Sequence, residues 1–120
     1  MSEIQLLTIL RAGIGIGALL APRLAVRVLG LDAHPQLPFL ARLLGIRDAA
    51  LAVGLQLSPP ENRSLWLQLG LVCDATDGLA GILAGRRGEL SRASTVLVSA
   101  PAAFGCGLGV AALRSLERDG

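Results

Sequence analysis

The chain has 120 residues, of which 52% are hydrophobic and only 17% are charged, and its mean hydropathy is +0.62. This length allows one domain at most, and the charged fraction lies below the roughly 25% that is usual in soluble domains. The net charge of +2 comes from scattered arginines, which argues against a nucleic-acid-binding surface. One histidine and two cysteines without ligand spacing argue against a zinc site.

Four apolar segments are each about as long as the roughly 20 residues that a helix needs to cross the hydrocarbon core of a bilayer. Short links join them, so helices adjacent in sequence are expected to run antiparallel. We therefore predict an all-α fold, a four-helix transmembrane bundle that forms a single domain over residues 1–120. The helices are predicted at residues 4–21, 39–57, 65–85 and 93–113, the last with a kink at Pro101.

The first link contains a short amphipathic stretch. In residues 23–30 the apolar side chains share one side, while Arg23 and Arg27 are four residues apart and lie together. This pattern favours a short helix in the membrane interface, with its guanidinium groups in water. Residues 32–38 contain two prolines and are predicted to be a loop, in which His34 is expected to be a surface residue.

The arginines of the links and termini divide unevenly between the two ends of the predicted bundle. The first and third links carry five, and the opposite side carries three. By the positive-inside rule, the chain is expected in the cell membrane with both termini outside. The five are Arg23, Arg27, Arg86, Arg87 and Arg92, and the three are Arg63, Arg114 and Arg118.

Five ionisable residues from three of the predicted helices fall at similar depths. With a rise of about 1.5 Å per residue in alternating directions, each lies near the middle of the bilayer. Three carboxyl groups face two guanidinium groups there, so either Arg42 reaches them or one carboxyl group is protonated. The five are Arg11 in the first helix, Arg47 and Asp48 in the second, and Asp74 and Asp77 in the third.

Small residues occupy the same helix faces as these charges. Asp74 and Asp77, three residues apart, share one face of a helix, and glycines continue that face in both directions. This spacing lets backbones approach closely and turns the acids into the bundle. Adjacent residues point apart by about 100°, so Arg47 is expected to pair with Asp74 or Asp77, and not with Asp48.

Two short patterns carry a resemblance to a known family. They are R-x-x-G-x-R-D-x-x-L over residues 42–51 and the later pair Asp74-x-x-Asp77. In these the chain resembles small four-helix integral membrane proteins of actinobacteria, a family of unknown function, and it is more remotely similar to DoxX-like membrane proteins. The resemblance implies a four-helix membrane fold and no established activity. The positions it carries over are Arg42, Gly45, Arg47, Asp48, Asp74 and Asp77.

Charges inside a membrane suit more than one role. They can be a structural network of ion pairs that fixes the register of the helices. They can also form a site, and the leading hypothesis is a binding protein or membrane accessory subunit. In that case Arg11, Arg42 and Asp48 help to hold a lipophilic small molecule or the helix of a partner.

Two further hypotheses involve proton transfer. One is a membrane-embedded enzyme that isomerises or cyclises a lipophilic substrate, with Asp74 or Asp77 as general acid and Arg47 stabilising charge. The other is a proton-coupled transporter, which with four helices would need a homo-oligomer. No cofactor is expected, because the GIGIGA stretch at residues 13–18 lacks the preceding strand that a dinucleotide site needs.

Overall fold

A computed structural model of the chain describes residues 2–31 and 36–119, and only the backbone of Asp119. The described part is all-helical, which confirms the predicted fold class; no strand occurs within it. A turn of 3₁₀ helix at Pro60–Asn62 precedes the fourth α-helix. The α-helices are α1 (Glu3–Leu20), α2 (Pro22–Val28), α3 (Leu37–Leu57), α4 (Arg63–Arg86) and α5 (Arg92–Asp119).

The helix ends differ from the predicted bounds where local chemistry allows the helix to continue. Helix α3 begins at Leu37, inside the stretch predicted as a loop, because a proline in the first turn lacks only a hydrogen bond that the helix does not use there. Helix α5 runs to Asp119 instead of ending near residue 113, because Leu116 packs on the core. His34 lies outside the described residues.

Caps fix several of the helix ends. At the start of α1, the backbone N–H of Gln5 donates to the Ser2 hydroxyl at 3.2 Å, and the Gln5 side chain accepts from the Ser2 backbone N–H. Gly30 and Gly88 have φ values of 72° and 75°, the left-handed conformation that ends helices α2 and α4. The chain can therefore reverse within a few residues at each of these points.

The four long helices pack side by side. Helix α1 lies along α3, α4 lies along α5, α1 also contacts α5, and the α3–α4 contact is the smallest of these. A Cβ added at Gly15 would lie 2.7 Å from the Gly45 carbonyl oxygen, so α1 and α3 touch backbone to backbone. Each long helix contributes one residue to a core near the chain termini, made of Leu7, Leu55, Leu67 and Ala112.

All the described α-helices expose large apolar side chains. Among the described residues, three helical spans are long and apolar enough to cross a membrane: Glu3–Leu20, Pro60–Arg86 and Arg92–Arg118. Only 17–22% of each span is buried inside the protein, and an apolar surface of that extent indicates a membrane protein. Helix α3 has 21 residues, but every stretch long enough to cross contains Arg42, Arg47 and Asp48.

Candidate functional site

The structure brings five of the predicted site residues together at mid-length of α1, α3 and α4. We call this group, Arg11, Arg47, Asp48, Asp74 and Asp77, the charged cluster. Its members form two ion pairs between helices and one contact between neighbours in sequence. The sequence predicts this meeting of three helices and a partner for Arg47 at Asp74 or Asp77, but not the pairing of Arg11 with Asp74.

One pair crosses the centre of the protein. Arg11 donates from Nη2 to Oδ2 of Asp74 at 2.6 Å, although α1 and α4 do not pack directly against each other. Only 3% of Arg11 is exposed. An ion pair so well buried is costly to break, because each partner would remain as an uncompensated charge in a low dielectric.

Two glycines make room for this pair. A Cβ at Gly70 would lie 2.6 Å from Cζ of Arg11, and a Cβ at Gly105 would lie 2.5 Å from Oδ2 and 2.9 Å from Cγ of Asp74. These glycines therefore accommodate charged side chains. From the sequence, the glycines on these helix faces are expected to allow close contact between backbones. The structure shows that contact at Gly15 and Gly45, and not at Gly70 and Gly105.

The second pair lies between α3 and α4. Arg47 donates with both terminal nitrogens to Asp77, from Nη1 to Oδ1 at 3.2 Å and from Nη2 to Oδ2. The side chains of Arg47 and Asp77 are 32% and 34% exposed, since α3 and α4 touch over a small area. We call this partly open line between the two helices, with Arg47, Asp48 and Asp77 along it, the α3–α4 seam.

Asp48 is the acid without a strong partner. Its Oδ1 lies 3.5 Å from Nη2 of Arg47, and no described group donates a hydrogen bond to it. The expectation that adjacent residues do not pair was wrong here, because the long arginine side chain can fold back toward its neighbour. Three carboxylates therefore share two guanidinium groups, which leaves the cluster with an excess of hydrogen-bond acceptors.

Arg42 is the predicted site residue that the structure leaves outside the cluster. It is exposed on α3 and forms no ion pair with a described carboxylate. It therefore does not balance the third acid, contrary to one of the two expectations from the sequence. Its place on α3, about 7 Å along the helix from Leu37, puts it near the end of the protein where α2 lies.

Some polar atoms in the cluster lack partners. The Nε atoms of Arg11 and Arg47 are buried without a hydrogen-bond acceptor among the described groups. A buried donor without a partner costs about 1–3 kcal/mol. The cluster therefore has two unsatisfied hydrogen-bond donors in its interior. No described set of histidine, cysteine and acidic side chains has the arrangement of a metal site.

A shallow groove lies nearer the chain termini. It has a volume of about 500 Å³ and is open to the surface. The side-chain amide of Gln56 in α3 donates to the Thr8 hydroxyl in α1 at 2.9 Å and forms part of its wall. The sequence does not predict this groove, since its lining combines residues that are far apart in the chain. The lining residues are Gln5, Thr8, Ile9 and Gln56, and none belongs to the charged cluster.

The relationships of the chain to known proteins add no further constraint. Comparison with protein-family models, with curated proteins and with solved structures finds no match. The features of the chain that bear on its function are the geometry of the charged cluster and the membrane-like character of the helices.

Proposed function

We propose that the chain is a four-helix transmembrane bundle of the cell membrane, and that its α3–α4 seam binds the polar group of a lipophilic small molecule. Helix α3 would be the fourth span. Its length of 21 residues suffices, and the charges it carries at Arg47 and Asp48 are turned toward α4. This fold is also the one implied by the resemblance to the actinobacterial family.

The observation that carries the proposal is the partial exposure of the seam. About a third of Arg47 and of Asp77 is uncovered by protein at mid-length of their helices. If these helices cross a bilayer, that surface meets acyl chains, where charged groups are costly unless something polar covers them. A bound molecule with a polar head and an apolar body would cover the charges and lie in the lipid at the same time.

The charges also indicate which polar group fits. The cluster has more carboxylates than guanidinium groups, and Asp48 accepts no hydrogen bond from a described residue. A ligand that donates a hydrogen bond is therefore favoured over one that carries a carboxylate. A hydroxyl group suits the site best, because it donates to Asp48 and can also accept from a terminal N–H of Arg47, whose side chain is partly exposed in the seam.

The direct test compares a lipophilic alcohol with its matched acid. Tritiated farnesol would be bound to the detergent-solubilised protein and displaced by unlabelled farnesol or by farnesoic acid. We expect saturable binding that farnesol displaces and farnesoic acid does not. Because a hydrogen bond to a charged group contributes about 1.5–3 kcal/mol, Asp48→Asn should weaken binding by about tenfold or more.

The matched control is Arg114→Gln, which removes an exposed charge far from the seam. It should bind farnesol as the wild type does. Binding that does not saturate, or that Asp48→Asn leaves unchanged while helix content is intact, would overturn the proposal. If the seam instead holds the helix of a partner or of a second copy, Asp48→Asn should alter the oligomeric state and not the binding of farnesol.

The isolation of Asp48 favours a second candidate, an enzyme that isomerises or cyclises a lipophilic substrate. Asp74 and Asp77 each accept a hydrogen bond from an arginine, whereas no described group donates one to Asp48, so Asp48 becomes the proposed general acid. The test is incubation with farnesol in deuterated water, followed by mass spectrometry. An enzyme would introduce deuterium into carbon positions of farnesol, and Asp48→Asn would not; equal uptake by both proteins would contradict this candidate.

A further inference from the structure

The end of the protein where α2 lies carries six exposed arginines, which we call the arginine end. Helix α1 stops at Leu20 and α2 begins at Pro22, while α4 stops at Arg86 and α5 begins at Arg92. The Ser94 hydroxyl donates to the Gly30 carbonyl oxygen at 3.4 Å, so the end of α2 lies against the start of α5. The six are Arg23, Arg27, Arg42, Arg86, Arg87 and Arg92.

The charge at this end is unbalanced. None of the six arginines pairs with a described carboxylate, and Glu89 is the one acid described there. At the opposite end the described charges balance, three acids against three arginines. These are Glu3, Glu61 and Glu117 against Arg63, Arg114 and Arg118.

Helix α2 shows which surface the arginine end faces. It buries Pro22 and Val26 against the body of the protein, where it packs on α3. Its other large apolar residues, Leu24 and Val28, are 60% and 63% exposed, and both of its arginines are exposed as well. Helix α2 thus exposes two apolar and two cationic side chains on its surface. Such a helix is typical of the boundary between acyl chains and head groups.

We propose that the arginine end binds the anionic head groups of phospholipids in one leaflet, with α2 lying in the interface of that leaflet. The planar guanidinium group binds phosphate oxygens with two parallel hydrogen bonds, and six such groups surround the ends of the membrane spans. Leu24 and Val28 enter the acyl region beside them. Arg42 extends along α3 from within the membrane to the same layer of phosphates.

This inference is independent of the ligand proposed for the seam. It gives Arg42 a role that the charged cluster does not, and it accounts for exposed apolar residues on a helix too short to cross a membrane. A soluble acidic partner would match the charges, but the membrane-like spans that end at this level place Leu24 and Val28 beside acyl chains. The lipid leaflet is the occupant that satisfies both the charge and the apolar pair.

The test titrates the delipidated, detergent-solubilised full chain with phosphatidylglycerol or with phosphatidylcholine and counts bound lipids by native mass spectrometry. We expect phosphatidylglycerol to bind the wild type more tightly by about tenfold or more. Arg23→Gln/Arg27→Gln should lose most of this preference. Arg114→Gln/Arg118→Gln removes two arginines from the balanced end and should retain it.

Equal affinity of the wild type for the two lipids would overturn the inference, and so would equal losses in the two double variants. A third variant, Leu24→Ser/Val28→Ser, separates a lipid surface from a purely ionic site. It should weaken the binding of both lipids, because the apolar pair enters the acyl region. Unchanged binding of both lipids by this variant would also contradict the placement of α2.

Discussion

Gly105 offers the sharpest test of the buried ion pair. A Cβ added there would lie 2.5 Å from Oδ2 and 2.9 Å from Cγ of Asp74, well inside contact distance. Asp74 cannot turn away without breaking its 2.6 Å hydrogen bond to Arg11, which is 3% exposed. Gly105→Ala must therefore either separate the ion pair or push α4 and α5 apart.

The size of the effect follows from opposing contributions. Alanine in place of a helical glycine gains up to about 1 kcal/mol from helix propensity. Overpacking costs about 1–3 kcal/mol, and loss of a buried ion pair costs about 3–5 kcal/mol when one partner is left uncompensated. We expect Gly105→Ala to reduce the free energy of unfolding by about 1–3 kcal/mol, since the helices can shift and retain part of the pair.

The control is two residues away on the same helix. A Cβ at Gly107 would meet no atom within 4 Å, so Gly107→Ala should leave stability unchanged or raise it slightly. The assay is unfolding in mixed micelles with increasing denaturing detergent, followed by helical circular dichroism. If Gly105→Ala and Gly107→Ala unfold at the same detergent fraction, the described position of Asp74 against α5 is wrong.

Three further predictions, each with a comparison variant, are tested in the same assay. Gly15→Ala should reduce the free energy of unfolding by about 1–3 kcal/mol, because its Cβ would lie 2.7 Å from a backbone oxygen of α3. Gly13→Ala is the control, because a Cβ there meets no atom within 4 Å. Equal effects of the two substitutions would contradict the close contact of α1 and α3. Arg47→Ala should reduce the free energy of unfolding by about 1–3 kcal/mol, because it leaves Asp48 and Asp77 without a partner. Arg42→Ala should reduce it by less than about 0.5 kcal/mol. A larger loss for Arg42→Ala would refute the position of Arg42 outside the cluster. The single variant Asp74→Leu should be less stable than the double variant Arg11→Met/Asp74→Leu, because the double variant removes both charges. If the double variant loses as much stability as the two single variants together, Arg11 and Asp74 are not coupled.

The sequence predicts the helices and the level of the charges well, for physical reasons. Apolar segments of membrane-spanning length and Pro- or Gly-containing links locate the long helices to within a few residues, apart from the C-terminal end of α5. Alternating direction along the chain then places Arg11, Arg47 and Asp74 at one level. Depth follows from counting residues, so no knowledge of packing is needed.

The sequence predicts Asp74 or Asp77 as the partner of Arg47, but the choice between them and the partner of Arg11 depend on packing that the sequence does not reveal. Arg11 reaches Asp74 because α1 and α4 are diagonal to each other, which follows from the arrangement of all four long helices. Arg42 and Arg47 are five residues apart on α3, and only the rotation of that helix decides that Arg47 faces α4. The roles of Gly70 and Gly105 likewise depend on which side chain points at each glycine.

The central claim is that the charged cluster lies inside a membrane. Val72, two residues before Asp74, is 63% exposed, so in water a cysteine at this position would react readily. The measurement is labelling of Val72→Cys by a water-soluble maleimide in sealed and in permeabilised vesicles, with Cys73 and Cys106 changed to serine.

We expect Val72→Cys to resist this reagent in both preparations and to react with a membrane-soluble maleimide. Glu89→Cys, in the exposed turn after α4, should react with the water-soluble reagent in permeabilised vesicles. If the water-soluble maleimide labels Val72→Cys as fast as Glu89→Cys, the apolar surface faces water and the account is wrong.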